Sequence, residues 1–357
     1  MIASAMNIDI EKTSLSRIPQ IDFAHLEFGA VYSDHMFAVD FKGEEWKNPK
    51  VLPFQNLTMS PATAALHYGQ TIFEGMKAFR GSGNEILVYR PQAHCRRMNK
   101  SAERLCMPQI SEEIFLEGLN HLLAIDHEWV PNIDGCSLYI RPMMYASDEF
   151  IRVKPSANYK FIIFTSPVAK YYSGTVKVIV ENKYVRSAEG GVGFAKTGGN
   201  YAGSLLPTKI AAEKGYQQIL WTDAKEHKFI EESGTMNIMF QIGDTLVTPS
   251  LSSSILAGVT RDSLITIAKE WGIKVEERKI SIDELVDAHQ TGRLKDAFGT
   301  GTAATVTHIS EIHYNGVDLV LPDVSKREIS TRLAEELINI RLGKAEDKFN
   351  WIHKIHF

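Results

Sequence analysis

The sequence predicts a mixed α and β protein of two domains, and three observations carry that expectation. Apolar runs of strand length alternate with amphipathic segments of helical period. At 357 residues the chain is long enough for two cores. The alternation breaks in PVAKYYSGT (167–175), where proline, glycine and two tyrosines follow an apolar strand, as in an interdomain loop that touches ligand or a plain connection. The expected division is a smaller N-terminal α/β domain over residues 1–168, a loop over 169–177 and a larger domain over 178–357.

Each element has its own reason. Strands are expected at Met36–Phe41, Ile86–Tyr89, Ser137–Met143, Lys160–Thr165, Lys177–Val180, Gln218–Trp221 and Asn237–Gln241, all short and rich in branched or aromatic residues. Ser111–His127 places Phe115, Leu119, Leu122 and Leu123 on one helical stripe, although Gly118 weakens its middle. Ser204–Lys214 reads as a helix closed by Gly215. Ser281 and Glu284 form a capping box for a helix that Gly292 ends. Ser325–Leu342 is a long amphipathic helix. There is no internal repeat and no low-complexity segment.

Composition excludes several classes. A net charge of −4 with both signs interspersed offers no basic field for nucleic acid or an anionic membrane. The longest apolar run, around Phe161–Val168, is far short of a membrane-spanning helix. The N-terminal stretch lacks the basic and apolar regions of a secretory signal, and Asp9 and Glu11 argue against a transit peptide. Three cysteines, Cys95, Cys106 and Cys136, are odd in number and far apart, which suits a reduced, cytoplasmic setting. The twelve histidines show no H-x-x-x-H spacing, so no metal is expected.

The informative chemistry lies in GFAKTGGNY (193–201) and EESGTMN (231–237). Glycines let the backbone turn and let a flat ligand approach. A lysine held there can act as a free amine toward a carbonyl. With an acid for a pyridine nitrogen, these are the two halves of a pyridoxal phosphate site. A solvated Lys196 is the plain alternative. A phosphate-binding P-loop is a poorer one, because GGVGFAKT (190–197) has Ala195 where that motif needs glycine. Three more segments suit an anion: LAGVTRDSL (256–264), where a loop enters a helix; FGTGTAA (298–304), a small-residue loop rich in N–H groups; and RPQAHCRRM (90–98), with Arg96 and Arg97. Taken singly, each is more often a turn or a solvated face.

In company with FGAVYSDHM (28–36), LHYGQTIFEGMKAF (66–79), RRMNKSAERLCMP (96–108), SLYIRP (137–142), QQILW (217–221) and GVTR (258–261), these strings resemble the branched-chain amino acid aminotransferases of fold type IV, over about Phe28 to Leu342. The resemblance implies a small α/β domain followed by a larger one with a barrel-like sheet, pyridoxal 5′-phosphate as cofactor, a homodimer with each site completed by the partner chain, and ping-pong transamination of leucine, isoleucine and valine with 2-oxoglutarate. It makes Lys196 the catalytic Schiff-base lysine and proton shuttle, Glu232 the partner of the pyridine nitrogen and Tyr201 that of the phenolic oxygen. Arg97, Val259, Thr260 and Thr302 would hold the phosphate, with Thr235, Leu256, Gly258 and Gly301 completing the cofactor set. Phe28, Tyr68, Phe73, Tyr171, Thr235 and Ala303 would wall the side-chain pocket. Tyr139, Thr302 and Ala303 would hold the α-carboxylate, and Arg141 the distal carboxylate of glutamate. Glu231 and Arg96 are expected to be solvated. A D-amino acid transaminase or aminodeoxychorismate lyase of the same fold would share the lysine and the glutamate; the aromatic wall and SLYIRP argue against both. Where mammalian members carry a C-x-x-C pair, this chain has Ala304, Thr305, Val306 and Thr307, so thiol regulation of that kind is not expected.

Overall fold

The computed structural model describes residues 7–169, 174–303 and 305–357. Tyr171 and Ala304 lie outside them. The chain forms two compact units. One takes residues up to 169 together with Ala195–Gly198 and Asn339–Phe357; the other takes residues 174–194 and Gly199–Ile338. The short segment holding Lys196 therefore packs with the N-terminal residues.

The first unit is built on one sheet. Its strands run Asp9–Ile10, Glu45–Pro53, His35–Lys42, Tyr159–Val168, Ser137–Ala146, Met76–Arg80, Glu85–Tyr89 and Ile352–His356, with Thr71–Phe73 pairing on Ser137–Ala146. Every pairing except that of Asp9–Ile10 with Glu45–Pro53 is antiparallel. Two helices, Pro91–Arg104 and Glu112–Ile125, join its core. Ser111 caps the second, its hydroxyl accepting the Ile114 N–H at 3.1 Å. Gly118, unfavourable for a helix in isolation, is needed here: a Cβ at that position would lie 2.5 Å from the Phe37 ring, so glycine lets the helix approach the sheet.

The second unit has a mixed sheet in the order Ile230–Ser233, Gln218–Thr222, Val176–Val180, Thr305–Tyr314, Leu294–Gly301, Asn237–Ile242, Thr245–Thr248 and Lys274–Glu277. Val176–Val180 pairs in parallel with both its neighbours. Val178, Leu220, Ile238, Phe240 and Ile312 fill its core.

Two expectations change. The helix expected from Ser204 begins at Gly198 and runs to Glu213, because the low-propensity Gly198–Gly199 pair forms its first turn instead of a loop; Gly215 follows with φ +88°. The segment expected as a loop over 298–304 is half strand: Phe298–Gly301 pairs with Asn237–Met239 on one side and Thr305–His308 on the other. Among the described residues no helix is long and apolar enough to cross a membrane.

Candidate active site

Lys196 is held through its backbone. Its N–H donates to Ser101 Oγ at 2.9 Å, and its carbonyl accepts the Phe73 N–H at 3.0 Å. With both peptide groups fixed, the side chain departs from a defined point, and Nζ lies 5.0 Å from the centroid of the Phe73 ring. The Arg141 guanidinium lies 4.7 Å from the same centroid. Arg141 also donates to the Tyr139 hydroxyl at 3.1 Å, as two residues two apart on one face of a strand can. Phe28 meets the Tyr139 ring edge-on at 5.0 Å. Phe28, Phe73, Tyr139, Arg141 and Lys196 are thus brought together. The Arg141 Nε is buried and has no hydrogen-bond partner among the described residues, which suits a ligand acceptor. Tyr68 is placed otherwise: it ends the short helix Ala64–Tyr68, 39% exposed, beside His67.

Beneath this cluster lies a charged group that sequence reasoning missed. Glu74 is fully buried. Its carboxylate receives Arg97 twice, Nε on Oε1 at 2.7 Å and Nη2 on Oε2 at 2.8 Å, and meets His94 Nδ1 at 2.7 Å. Burial alone would raise the Glu74 carboxyl, but Arg97 and His94 outweigh it and hold it well below the ordinary carboxylate range. Burial pushes the His94 imidazole down, with Arg97 and Lys196 adding to that effect against the pull of Glu74. Arg97 lies on the helix Pro91–Arg104 and is nearly buried; Arg96, beside it, is exposed and pairs with Glu112 at 3.0 Å.

In the second unit, Glu231 and Glu232 are neighbours on a strand buried along its whole length, so their side chains leave on opposite faces. Glu232 accepts the Leu256 N–H at 2.7 Å and lies 3.2 Å from the Nε of a half-buried Arg186. It lines a small pocket with Arg186, Asn200, Tyr201, Thr235 and Leu256. Four of the expected cofactor residues, Tyr201, Glu232, Thr235 and Leu256, therefore come together. Glu231 corrects the expectation of a solvated side chain. It is 8% exposed, its Oε1 accepts the Ser254 hydroxyl, and its Oε2 has no partner among the described residues. Burial raises its carboxyl above the ordinary value despite Ser254 and Arg186.

Glycines shape this unit's loops. Ser233 and Met236 exchange both backbone hydrogen bonds around Gly234–Thr235, and Gly234 has φ +57° at the first central position, which a two-residue hairpin of the II′ kind reserves for glycine. A Cβ there would also fall 1.7 Å from Gln218 Oε1. Gly258 caps the helix Val259–Glu270; a Cβ on it would fall 1.9 Å from Asn237 Oδ1, whose amide holds the Leu256 carbonyl at 2.9 Å. Val259 and Thr260 head that helix, where amide groups point out of the first turn. Gly301 ends its strand, and Thr302 and Ala303 form the half-buried turn after it.

A family model for amino-transferase class IV matches residues 71–312. Branched-chain-amino-acid aminotransferase 2 of Bacillus subtilis (strain 168) is 45% identical over 352 residues, spanning 98% of this chain and 97% of that protein. The crystal structure of a branched-chain aminotransferase from Thermoproteus uzoniensis with norvaline matches at a TM-score of 0.74 and 26% identity, over 90% of this chain and 100% of the other. That of the T.th. branched-chain amino acid aminotransferase with pyridoxamine 5′-phosphate matches at 0.72 and 24% identity, over 89% and 97%; at that identity the likeness is one of fold.

Proposed function

The chain belongs to the class IV aminotransferase family and has its mixed α/β fold, fold type IV; on that premise we propose that it transaminates L-leucine, L-isoleucine and L-valine against 2-oxoglutarate with pyridoxal 5′-phosphate as cofactor. The observation that carries the reading is the setting of Lys196: backbone fixed on both sides, amine over Phe73, and Arg141 over the same ring. The donor set fits the cofactor. A carboxylate, a phenol and a hydroxyl line one pocket, matching the polar edge of a hydroxypyridine, and Arg97 and the amides heading Val259–Glu270 suit a phosphate.

When bound, the cofactor supplies an electron-accepting ring that makes the substrate's Cα proton removable. Lys196 Nζ takes that proton and returns it, as a positioned base and then acid. Glu232 binds the ring nitrogen, its negative charge stabilised by Arg186 and the Leu256 amide. Tyr201 orients the phenolic oxygen. Phe28, Phe73 and Tyr139 exclude water from an aliphatic side chain. Tyr139, Thr302 and Ala303 hold the α-carboxylate, and Arg141 receives the distal carboxylate of glutamate.

The protein acts as a homodimer in this reading. Leu66, Ile151 and Val153 are 62, 71 and 89% exposed, and the Ala64 N–H donates to the Asp148 carbonyl, which joins the helix of Leu66 and Tyr68 to the segment before Ile151. Tyr68 then serves a neighbouring copy.

Borohydride reduction of the protein loaded with pyridoxal phosphate, followed by peptide mapping, tests the assignment of Lys196. The label is expected on Lys196 and absent from Lys196→Ala, which should fold yet fail to transaminate. A substrate panel with 2-oxoglutarate tests specificity; turnover of D-alanine or aminodeoxychorismate in place of L-leucine would refute it.

A further inference from the structure

We infer that Glu74 and His94 are positioning residues that aim the Arg97 guanidinium at the cofactor's phosphate, an inference resting on the reading that Arg97 binds that phosphate. An arginine side chain has many rotamers, and a phosphate contact needs one of them. Here the Nε and Nη2 donors are both engaged by one carboxylate, at 2.7 and 2.8 Å, so the plane of the guanidinium is fixed before any ligand arrives. The carboxylate is itself fixed: Glu74 Oε2 meets His94 Nδ1 at 2.7 Å and the Gly75 N–H at 3.2 Å. An ionised carboxylate can only accept, so His94 Nδ1 carries a proton in this contact, which fixes the orientation of the imidazole.

The same scaffold reaches Lys196. Ser101, one turn along the helix, donates its hydroxyl to the Arg97 carbonyl at 3.1 Å and accepts the Lys196 N–H at 2.9 Å. The residue before Glu74 donates its backbone N–H to the Lys196 carbonyl. Glu74 thus stands where the arginine and the lysine segment are tied to one framework.

Charge alone argues against such an acid, and that makes the inference decidable by sign. A carboxylate beside a phosphate arginine cancels the cation and repels a dianion. If charge governed affinity, Glu74→Gln would tighten pyridoxal phosphate binding. If orientation governs it, the same substitution weakens binding in spite of the removed repulsion.

The experiment measures dissociation constants of pyridoxal phosphate and of pyridoxal, which lacks the phosphate, on the full-length apoprotein by tryptophan fluorescence. Glu74→Gln is expected to weaken pyridoxal phosphate by about tenfold or more, the scale of one charge-assisted hydrogen bond, and to leave pyridoxal within about twofold of wild type. Unchanged or tighter pyridoxal phosphate binding, or equal losses for both ligands, overturns the inference. Glu74→Asp, which keeps the charge but draws it back by one methylene, is the second variant should Glu74→Gln not fold; it should also weaken pyridoxal phosphate selectively, and wild-type affinity overturns the inference. Arg97→Met separates the underlying reading. If it leaves pyridoxal phosphate affinity intact, Arg97 does not bind the phosphate; if it weakens binding while the Glu74 variants do not, only the positioning role fails.

Discussion

Adjacent glutamates on one strand provide the sharpest test of the site. Glu232→Gln replaces a carboxylate that meets Arg186 at 3.2 Å and the Leu256 amide at 2.7 Å. The amide contact survives in glutamine; the charge does not. In the proposed role of Glu232, its charge-assisted hydrogen bond to the ring nitrogen would be worth about 1.5–3 kcal/mol, which is roughly one to two units in that nitrogen's pKa and about tenfold to a hundredfold in the proton-transfer rate. Glu231→Gln should act on stability instead. Burial raises the Glu231 carboxyl, so the folded state holds its proton more tightly than the unfolded one does. Stability is then lost as pH rises through the carboxylate range and beyond. Glutamine keeps the Ser254 contact and removes the buried charge with its unpartnered oxygen. It should stabilise the protein by roughly 1–3 kcal/mol at pH 8 and by little at pH 4. Single-turnover rates with L-leucine and thermal melts across pH read the two effects separately. Equal rate losses at both positions, or a Glu231→Gln variant whose gain in stability over wild type is no larger at pH 8 than at pH 4, would refute this assignment of faces.

Arg141→Met should slow the glutamate half-reaction by about tenfold to a hundredfold and the leucine half-reaction far less, since methionine keeps an apolar wall; single-turnover absorbance with each amino acid measures both, and equal losses would mean that Arg141 does not discriminate the two. Gly75→Ala should displace Tyr139, because a Cβ there would lie 2.0 Å from its hydroxyl; a raised KM for both amino acids with an unchanged melting temperature is expected, and wild-type kinetics would count against Tyr139 as a substrate ligand. Thiol titration should modify the exposed Cys106 first and Cys95 only on unfolding, since burial pushes the Cys95 thiol up to about 12; rapid native labelling of Cys95 would contradict that burial.

Much of this was legible in the chain because it is local. Periodic apolar runs mark Ser137–Ala146, Tyr159–Val168 and Glu112–Ile125 to within a few residues of their observed limits. What failed was either polar sequence buried by its surroundings or pairing at long range. Ile230–Ser233 carries two glutamates, so nothing local distinguishes it from a surface strand; its burial comes from Ser254, Arg186 and Leu256, which lie far from it in sequence or across a turn. Nothing in YVRSAEGG marks Arg186 as the partner of a carboxylate that lies so far along the chain. Glu74 stands in plain view in FEGMKAF, but its partners Arg97 and His94 are 23 and 20 residues away, and no periodicity links a strand carboxylate to a helix guanidinium. The one available signal was the acid itself, set between apolar residues where a strand alternation leaves no solvent face.

That acid also explains why the sheet is interrupted there. Thr71–Phe73 and Met76–Arg80 both run along Ser137–Ala146, and Glu74–Gly75 is the gap between them. Successive residues of an extended chain face opposite ways, so Phe73 turns toward Arg141 and Lys196 while Glu74 turns toward Arg97 and His94. A regular strand would next return a side chain to the Phe73 face, into the space that the Tyr139 hydroxyl occupies. Glycine at position 75 leaves that space open. The backbone stays in line because the Glu74 N–H still donates to the Pro142 carbonyl at 2.8 Å. A buried carboxylate costs several kcal/mol unless it is paired and fully hydrogen-bonded, and a two-residue break gives Glu74 the Gly75 N–H as an extra donor beside Arg97 and His94. The interruption is thus what allows three consecutive residues to present an aromatic ring to Arg141 and Lys196, a paired carboxylate to Arg97 and an opening for the Tyr139 hydroxyl.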